Sequence, residues 1–393
     1  MSKKILFCSL FILIFLIPSK QDPNAKTWRQ HNTTVHADSI LAAMDRGDSV
    51  IIDSCEILGP LIKAGEPGRP DTINSMIKLN QSTFKDIVLF RDCYFSSLLS
   101  FSGVTFSKNS YFPWSIFSED ADFRGVTFSE DAHFMRATFR KSVSFENATV
   151  NRIASFYLAT FGGYACFDSA TFITVASFSQ AWFSEFASFW NASFDGFCDF
   201  SEAKFRKKVD LRFKEFKNFR IKWRQLQGHL DNNAPSFILK FQKYFEEQRQ
   251  LDDADGVYLF LKDQERMEKR WYIRYPEYWF IQQTCGYGVD PLLPLRASLV
   301  VVALFAIPYY LIKIREPKWA LGAGLKRIGI KAWNAFYFSG NTFVSGAPIE
   351  WTPEDTRSSK RHYLFRILTT VERTSGWILL VLFVVTLTRK FIR

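Results

Sequence analysis

The sequence predicts a β-solenoid followed by a helical membrane module. Three observations lead to this prediction: phenylalanine recurs at steps of five and six residues, the composition changes near residue 216, and two later segments are apolar enough to cross a membrane. A chain of 393 residues is long enough for two or three domains. Its 42 Phe and 17% aromatic content are far above ordinary usage, so a regular structure must use the phenylalanine.

The phenylalanine repeat continues without a slip from Phe84 to Phe205, and Val150 stands at one of its positions. A small residue, usually Ala, lies two positions before most of these sites, so the repeat side chains should face inward together. The repeat positions are Phe84, Phe90, Phe95, Phe101, Phe106, Phe112, Phe117, Phe123, Phe128, Phe134, Phe139, Phe145, Phe156, Phe161, Phe167, Phe172, Phe178, Phe183, Phe189, Phe194, Phe200 and Phe205.

A period of five and six fits neither an α-helix nor a flat strand. It fits a square coil in which each of four sides takes one Phe, which gives about 22 residues per coil. Val150 should then lie between Phe128 and Phe172. One internal stack, with neighbours about 4.8 Å apart, should contain Phe90, Phe112, Phe134, Phe156, Phe178 and Phe200.

Segments such as ATFRKSVSF and ATFITVASF resemble the pentapeptide-repeat family. The resemblance covers about residues 79–216, and it implies a right-handed quadrilateral β-helix. Function on such a solenoid must lie on outward positions. An exposed aromatic group could bind a partner or a glycan, and its members are Tyr157, Tyr164, Trp182, Phe186 and Trp190.

The remaining chain divides by composition. We expect a signal peptide or signal anchor at residues 1–20, an N-terminal cap with irregular first coils at 21–78, a helical hairpin connector at 217–275 and a membrane module at 276–393. A short amphipathic helix is expected at Ala37–Asp45. The two predicted transmembrane helices cover about residues 292–314 and 364–388.

The stretch TCGYGVD at residues 284–290 is close in sequence to a potassium-channel filter, but it does not lie between two membrane helices as a filter does. A pore loop needs a membrane helix on each side, and no apolar run of 18 residues precedes this stretch. We interpret it as an interfacial turn in which the glycines bend the chain into a membrane helix. An aromatic belt should accompany it, formed by Tyr275, Tyr278, Trp279 and Phe280.

Between the two predicted crossings, AFYFSGNTF resembles the pore helix of the two-helix potassium-channel family, and the following apolar segment, with Glu372 and Gly376, resembles its inner helix. The resemblance implies a re-entrant pore-like loop at residues 331–348 and a tetramer. At the family's Gly-Tyr-Gly the chain has Gly346, Ala347 and Pro348, so a standard potassium filter is missing. The candidate pore-lining residues are Thr342, Phe343, Val344, Ser345 and Gly346.

The segment from Lys313 to Arg373 carries an excess of Lys and Arg, so the positive-inside rule predicts that it is cytoplasmic. The solenoid would then be extracytoplasmic, in agreement with a secretory segment at the N-terminus. We therefore predict a multi-pass protein of the cell membrane, with the lipid bilayer and monovalent cations as partners. The formal charge of +11 does not come from one binding patch in this interpretation, and no nucleic acid is expected.

Two functions remain open from the sequence. The first is an ion-channel-like module that conducts cations without a standard potassium filter. The second is a non-conducting, membrane-anchored surface scaffold that binds a partner or glycan through the β-helix. The six Cys and five His show no metal-site spacing, and no nucleophile elbow or P-loop occurs, so we expect no enzyme, catalytic residue, metal or cofactor.

Overall fold

The protein is described from a computed structural model that covers residues 26–231, 235–312, 327–345 and 359–392. The chain forms two compact units, one up to Phe237 and one from Ile238 onward. The first unit is a β-solenoid, and the second is helical. The predicted signal segment at residues 1–20 lies outside the described residues.

The solenoid has four sides, and each side is a ladder of parallel strands. Side 1 contains Thr27–His31, Ser49–Asp53, Ile77–Asn80, Leu99–Ser100, Ala121–Asp122, Val143–Ser144, Ala165–Cys166, Ala187–Ser188 and Val209–Asp210. Side 2 contains Thr34–His36, Glu56–Leu58, Thr83–Phe84, Thr105–Phe106, Thr127–Phe128, Thr149–Val150 and Thr171–Phe172.

Side 3 contains Leu61–Ala64, Val88–Arg91, Ser110–Tyr111, Ala132–His133, Ile153–Ser155 and Val175–Ser177. Side 4 contains Asp71–Ile73, Cys93–Phe95, Ile116–Phe117, Thr138–Phe139, Thr160–Phe161, Trp182–Phe183 and Lys204–Phe205. The longer strand Ser193–Asp199 belongs to sides 2 and 3, and the strand Glu215–Arg220 pairs with it. The nine strands of side 1 correspond to about nine coils.

The strand register confirms the 22-residue coil. Val150 pairs with Phe128 on one neighbouring strand and with Phe172 on the other. The predicted internal stack is also confirmed, since Phe134 lies 4.8 Å from Phe112 and 5.2 Å from Phe156 between ring centroids. These rings are fully buried. The core of the solenoid is therefore a set of continuous phenylalanine columns.

The ladder begins at Thr27, well before the start that the phenylalanine repeat indicates near residue 79. Its first coils place Ile, Val and Leu inside instead of Phe, for example Val50, Ile52 and Ile57. They are irregular, as expected: Val50 pairs with Ile77, a step of 27 residues. The helix α1, Ala37–Asp45, has the predicted bounds and buries Ile40, Ala43 and Met44.

Helices follow the last strand. Helix α2 is Trp223–Leu226, α3 is Pro235–Glu247, α4 is Leu251–Glu268, α5 is Trp271–Glu277 and α6 is Gln283–Cys285. A π-helical turn, Tyr278–Gln282, joins α5 to α6, and a 3₁₀ turn, Gly286–Gly288, follows α6. Helices α3 and α4 occupy the segment in which the sequence predicts a helical hairpin. Their apolar sides include buried Phe241, Phe245, Val257 and Leu261.

Three longer helices end the chain: α7 is Leu292–Ile312, α8 is Arg327–Ser345 and α9 is Ser359–Ile392. Within the described residues, two stretches are long and apolar enough to cross a membrane, Leu292–Leu311 in α7 and Tyr363–Arg389 in α9. Helix α8 occupies most of the predicted pore-like segment and is helical through Ser345. The rest of that segment, residues 346–348, lies outside the described residues, so a re-entrant loop stays a prediction.

Candidate functional site

A buried polar cluster joins the three long helices. The hydroxyl of Tyr309 on α7 donates a 2.7 Å hydrogen bond to Oε2 of Glu372 on α9. The hydroxyl of Ser339 on α8 contacts Oε1 of the same carboxyl group and lies 2.8 Å from the carbonyl oxygen of Val302. Glu372, Ser339 and Tyr309 are each fully buried. One carboxyl group therefore binds side chains from both other helices.

The hydrogen bonds of this cluster can be counted atom by atom. A serine hydroxyl has one proton, and the carbonyl oxygen of Val302 can only accept. If Ser339 donates to Val302, the proton between Ser339 and Glu372 must come from the carboxyl group. The cluster is thus complete when Glu372 is a neutral acid that donates to Ser339 and accepts from Tyr309. Glu372 lies in a stretch that is long and apolar enough to cross a membrane, and a buried carboxyl group in such a stretch is a candidate functional residue.

Apolar side chains surround the cluster because α8 turns one face inward. The buried residues Ala335, Phe338, Ser339 and Thr342 follow the i, i+3, i+4, i+7 spacing of a single helical face. The ring of Tyr309 meets that of Phe338 edge to face, with centroids 4.9 Å apart. The polar cluster is therefore enclosed by aromatic packing.

The predicted pore-lining residues lie in the last turn of α8. Thr342 is fully buried, and its hydroxyl donates to the carbonyl oxygen of Phe338 at 2.9 Å. Val344 is 76% exposed, while Phe343 is half-buried against α9. Ser345 is the final residue of the helix. The fifth predicted residue, Gly346, lies outside the described residues.

The TCGYGVD stretch forms a turn stabilised from within the helical unit. Gly286, Tyr287 and Gly288 all have positive φ angles, +52°, +53° and +81°, just before α7 begins. Arg389 near the end of α9 donates to the carbonyl oxygen of Tyr287 at 3.1 Å. The glycines therefore make the turn that the sequence predicts, and the carbonyl oxygen of Tyr287 in this turn accepts a hydrogen bond from Arg389.

The Tyr287 side chain is also fixed. Its hydroxyl donates to Oε1 of Glu277 at 3.1 Å. Burial, with the nearby Glu277 carboxylate, raises the pKa of Tyr287 to about 12. Lys269 hydrogen-bonds to Glu277 and lowers the pKa of that carboxyl below its usual value. The turn is thus an anchored structural element whose polar groups face its own unit.

The solenoid places its five aromatic candidates at different points around the coil. Tyr164 and Phe186 come just before side 1, and their rings stack with centroids 5.8 Å apart. Trp182 lies on side 4 and is 40% exposed, while Trp190 follows side 1 and is 48% exposed. Tyr157 follows side 3 and is half-buried. The structure therefore brings Tyr164 and Phe186 together and distributes the other three.

No group of three His, Cys, Asp or Glu side chains suited to a metal ion occurs within the described ranges. The five cysteines in those ranges are buried and free. Cys93 and Cys198 stand at the inward position of the solenoid that Ala usually occupies, where they contribute to the packing of the core.

The fold defines a β-solenoid protein with a helical unit that contains two apolar helices. Residues 123–165 and 156–204 match the family model of pentapeptide repeats (9 copies), so the central coils of the solenoid are pentapeptide repeats. No curated protein and no solved structure matches the chain. None of these comparisons shows a potassium-channel module in the helical unit.

Proposed function

We propose that the protein is a multi-pass membrane protein whose helical unit forms an oligomeric, channel-like path for monovalent cations, with the solenoid as an extracytoplasmic domain. The observation that carries this proposal is the position of α8. It is held through Ser339 and Glu372 between two helices that are each apolar enough to span a bilayer. A helix packed between two membrane spans is the position that a pore helix occupies in a channel.

The exposed surfaces of the helical unit support membrane insertion. Apolar side chains on α7 and α9 are open to the surroundings, for instance Leu299 at 65% and Trp377 at 60%. Such surface is costly in water and suited to lipid. Ahead of α7, exposed aromatic residues fit a membrane interface, namely Trp271, Tyr272, Tyr275, Trp279 and Phe280.

The end of α8 supports a preference for cations. The last four carbonyl groups of an α-helix lack partners within the helix, and they carry the negative end of its dipole. In α8 these carbonyls belong to residues 342–345. Symmetric copies of this end around one axis would favour a cation by a modest amount. Because Gly346, Ala347 and Pro348 replace the usual filter, we propose conduction without strong potassium preference.

The proposed topology places the loop at residues 313–362 on the cytoplasmic side of the membrane, since this segment is rich in Lys and Arg. Single cysteines at Ser129 and Ser358 test it with a membrane-impermeant thiol reagent on intact cells. We expect labelling at position 129 alone. Labelling at 358 alone would make the solenoid cytoplasmic and would contradict the proposed topology.

A second function is favoured by one observation. The residues after α8 do not include the Gly-Tyr-Gly of a filter, so the helical unit could serve only as an anchor. The protein would then be a surface scaffold that binds a partner or glycan through exposed solenoid aromatics such as Trp182 and Trp190. The two functions differ in whether the end of α8 lines an aqueous axis.

Cysteine modification in reconstituted protein tests conduction. Val344→Cys, at the exposed end of α8, should lose most of its cation flux when a charged thiol reagent is added. Leu299→Cys, also exposed but on α7, should keep its flux because that surface would face lipid. Gly346→Val should alter flux, and Tyr287→Ala should not. If neither the parent protein nor any variant conducts cations, the channel function is contradicted and the scaffold function is favoured.

A further inference from the structure

The last coil of the solenoid concentrates positive charge. Ten of the 21 residues from 204 to 224 are Lys or Arg, and two are acidic. The coils immediately before it, from Ile153 to Ala203, contain no Lys or Arg and five acidic residues. The sequence interpretation that the positive charge does not come from one patch is therefore wrong. The charge is a feature of one end of the solenoid.

Most of these cations are exposed and are not engaged by acidic groups. Arg212 binds Asp210, and Arg220 lies 3.7 Å from Asp199. For the other eight, no carboxylate oxygen within the described part of the chain lies within ion-pair distance. One of the eight, Lys208, donates to the carbonyl oxygen of Gly228 at 2.9 Å. We name the remaining seven exposed residues the basic rim: Lys204, Arg206, Lys207, Lys214, Lys217, Lys222 and Arg224.

The register explains why the rim surrounds the coil. Lys204 lies on side 4, where it pairs with Trp182 of the coil before. Arg206 and Lys207 follow at the corner before side 1, and Lys217 lies on the final strand, Glu215–Arg220. Because sequence-adjacent residues occupy successive sides, a local charge run becomes a ring at one end of the solenoid.

An open cavity of about 460 Å³ interrupts the basic rim. Its wall includes Lys204, Arg224 and His229 together with one acid, Glu202. The side-chain amide of Gln225, also in the wall, donates to the carbonyl oxygens of Phe200 at 3.1 Å and Ala203 at 2.8 Å. Helix α2 is thereby fixed to the last coil, so the cations at the cavity are held on a rigid surface.

We propose that the basic rim docks on an anionic bilayer surface, where its Lys and Arg bind phospholipid phosphates. Two features select a bilayer over other polyanions. The charge is complementary to anionic headgroups, which attract basic segments over roughly one Debye length, about 8 to 10 Å. The same chain continues into α7 and α9, which would keep the bilayer at high local concentration. The inference rests on the proposed membrane insertion but neither on conduction nor on which side of the membrane the solenoid occupies.

Proximity of the rim to lipid can be measured on the full chain in nanodiscs. A fluorophore is attached to cysteine in an Asn218→Cys variant with Cys8 replaced, because the described native cysteines are buried while Asn218 is exposed. A quencher is placed on lipid headgroups. We expect strong quenching in phosphatidylglycerol-containing discs, and loss of most of it in zwitterionic discs or at high salt.

Two matched variants test whether the rim is responsible. The rim variant changes Lys207, Lys214, Lys217 and Lys222 to Gln and should lose most of the quenching. The control variant changes Lys85, Arg136, Arg140 and Lys141, exposed cations of earlier coils, to Gln and should retain it. Equal thermal melting of both would show intact folds.

The remaining outcomes separate the two proposals. Equal quenching in anionic and zwitterionic discs, or in rim and control variants, would overturn the inference while leaving membrane insertion in place. Rim-dependent binding to soluble polyphosphate or nucleic acid without quenching by anionic discs would also overturn it. A chain that does not insert into nanodiscs at all would overturn the proposed function and this inference together.

Discussion

The carbonyl oxygen of Phe343 lies 2.2 Å from the position that a Cβ atom on residue 376 would occupy. Helices α8 and α9 therefore approach each other more closely than any side chain at this site permits. Small residues allow such close backbone approach between helices in membranes. Gly376 thus fixes the distance between α8 and α9 next to the carboxyl group of Glu372.

Gly376→Ala should force the two helices apart. Because the obstructing atom is main chain, the strain cannot be relieved by a rotamer change, and we expect a loss of about 1 to 3 kcal/mol. Thermal melting in detergent is the measurement. Gly340→Ala is the matched control, since its added methyl would lie 3.9 Å from Cγ1 of Val302 in ordinary contact. Equal melting of the two variants would contradict the close approach.

The hydrogen bonds of Glu372 predict an asymmetry between two substitutions. Glu372→Gln keeps an acceptor for Tyr309 and supplies an N–H for Ser339, so its stability should stay within about 1 kcal/mol of the parent protein. Glu372→Leu leaves both hydroxyl groups without this partner and should lose about 2 kcal/mol or more. A Gln variant as unstable as the Leu variant would show that the cluster holds an ionised carboxylate.

The coil length was predictable because the solenoid repeats one local rule many times. Each side needs one large inward ring, so the spacing of Phe along the chain reports the geometry directly. Val150 tests the rule where a ring is missing, and it still pairs with Phe128 and Phe172. A smaller side chain in the column changes the packing volume but not the register.

The first coils were harder to find because their inward residues are ordinary core residues. Val50 and Ile57 are buried as completely as any Phe of the later coils. However, Val and Ile at these spacings occur in many folds, so they do not identify a solenoid. The extra residues of the 27-residue step further blur the period. The solenoid start near residue 79 reflects where the phenylalanine signal begins, not where the ladder begins.

The buried cluster shows what sequence alone could not supply. Glu372 stood out as an acid in an apolar segment, but its partners Tyr309 and Ser339 are 63 and 33 residues away. Which residue faces which depends on how three helices pack. The basic rim was missed for a different reason: its seven cations lie within 21 consecutive residues of the sequence, but only the coil geometry shows that they surround one end of the solenoid.

Replacing a ring in the middle of a stack tests the core directly. Phe178 lies between Phe156 and Phe200, at centroid distances of 4.9 and 4.8 Å, and is fully buried. Phe178→Ala should lose about 3 to 5 kcal/mol in a guanidinium titration, since a closed coil can relax little around the cavity. The exposed Trp190→Ala, a ring deletion on the same solenoid, should change stability far less. A loss below about 1 kcal/mol at Phe178 would mean that this ring is not a core element.

One histidine predicts a pH response of the solenoid. His133 stacks on Tyr111 with ring centroids 5.0 Å apart and parallel planes. Burial lowers the pKa of His133 below its ordinary value of 6.5, and the nearby Asp131 opposes this only in part. The folded protein therefore binds the proton less readily than the unfolded chain.

Because its pKa is lower in the folded state, His133 stabilises the fold at higher pH. This contribution is lost as the pH falls below about 6.5, where the unfolded chain binds the proton first. The melting temperature of the solenoid should accordingly fall between pH 8 and pH 5, and His133→Phe, which keeps the ring stack, should reduce that fall. The exposed His36→Gln is the control and should melt with the pH response of the parent protein. If His133→Phe and the parent protein show the same response, proton binding at His133 does not contribute to the stability of the solenoid.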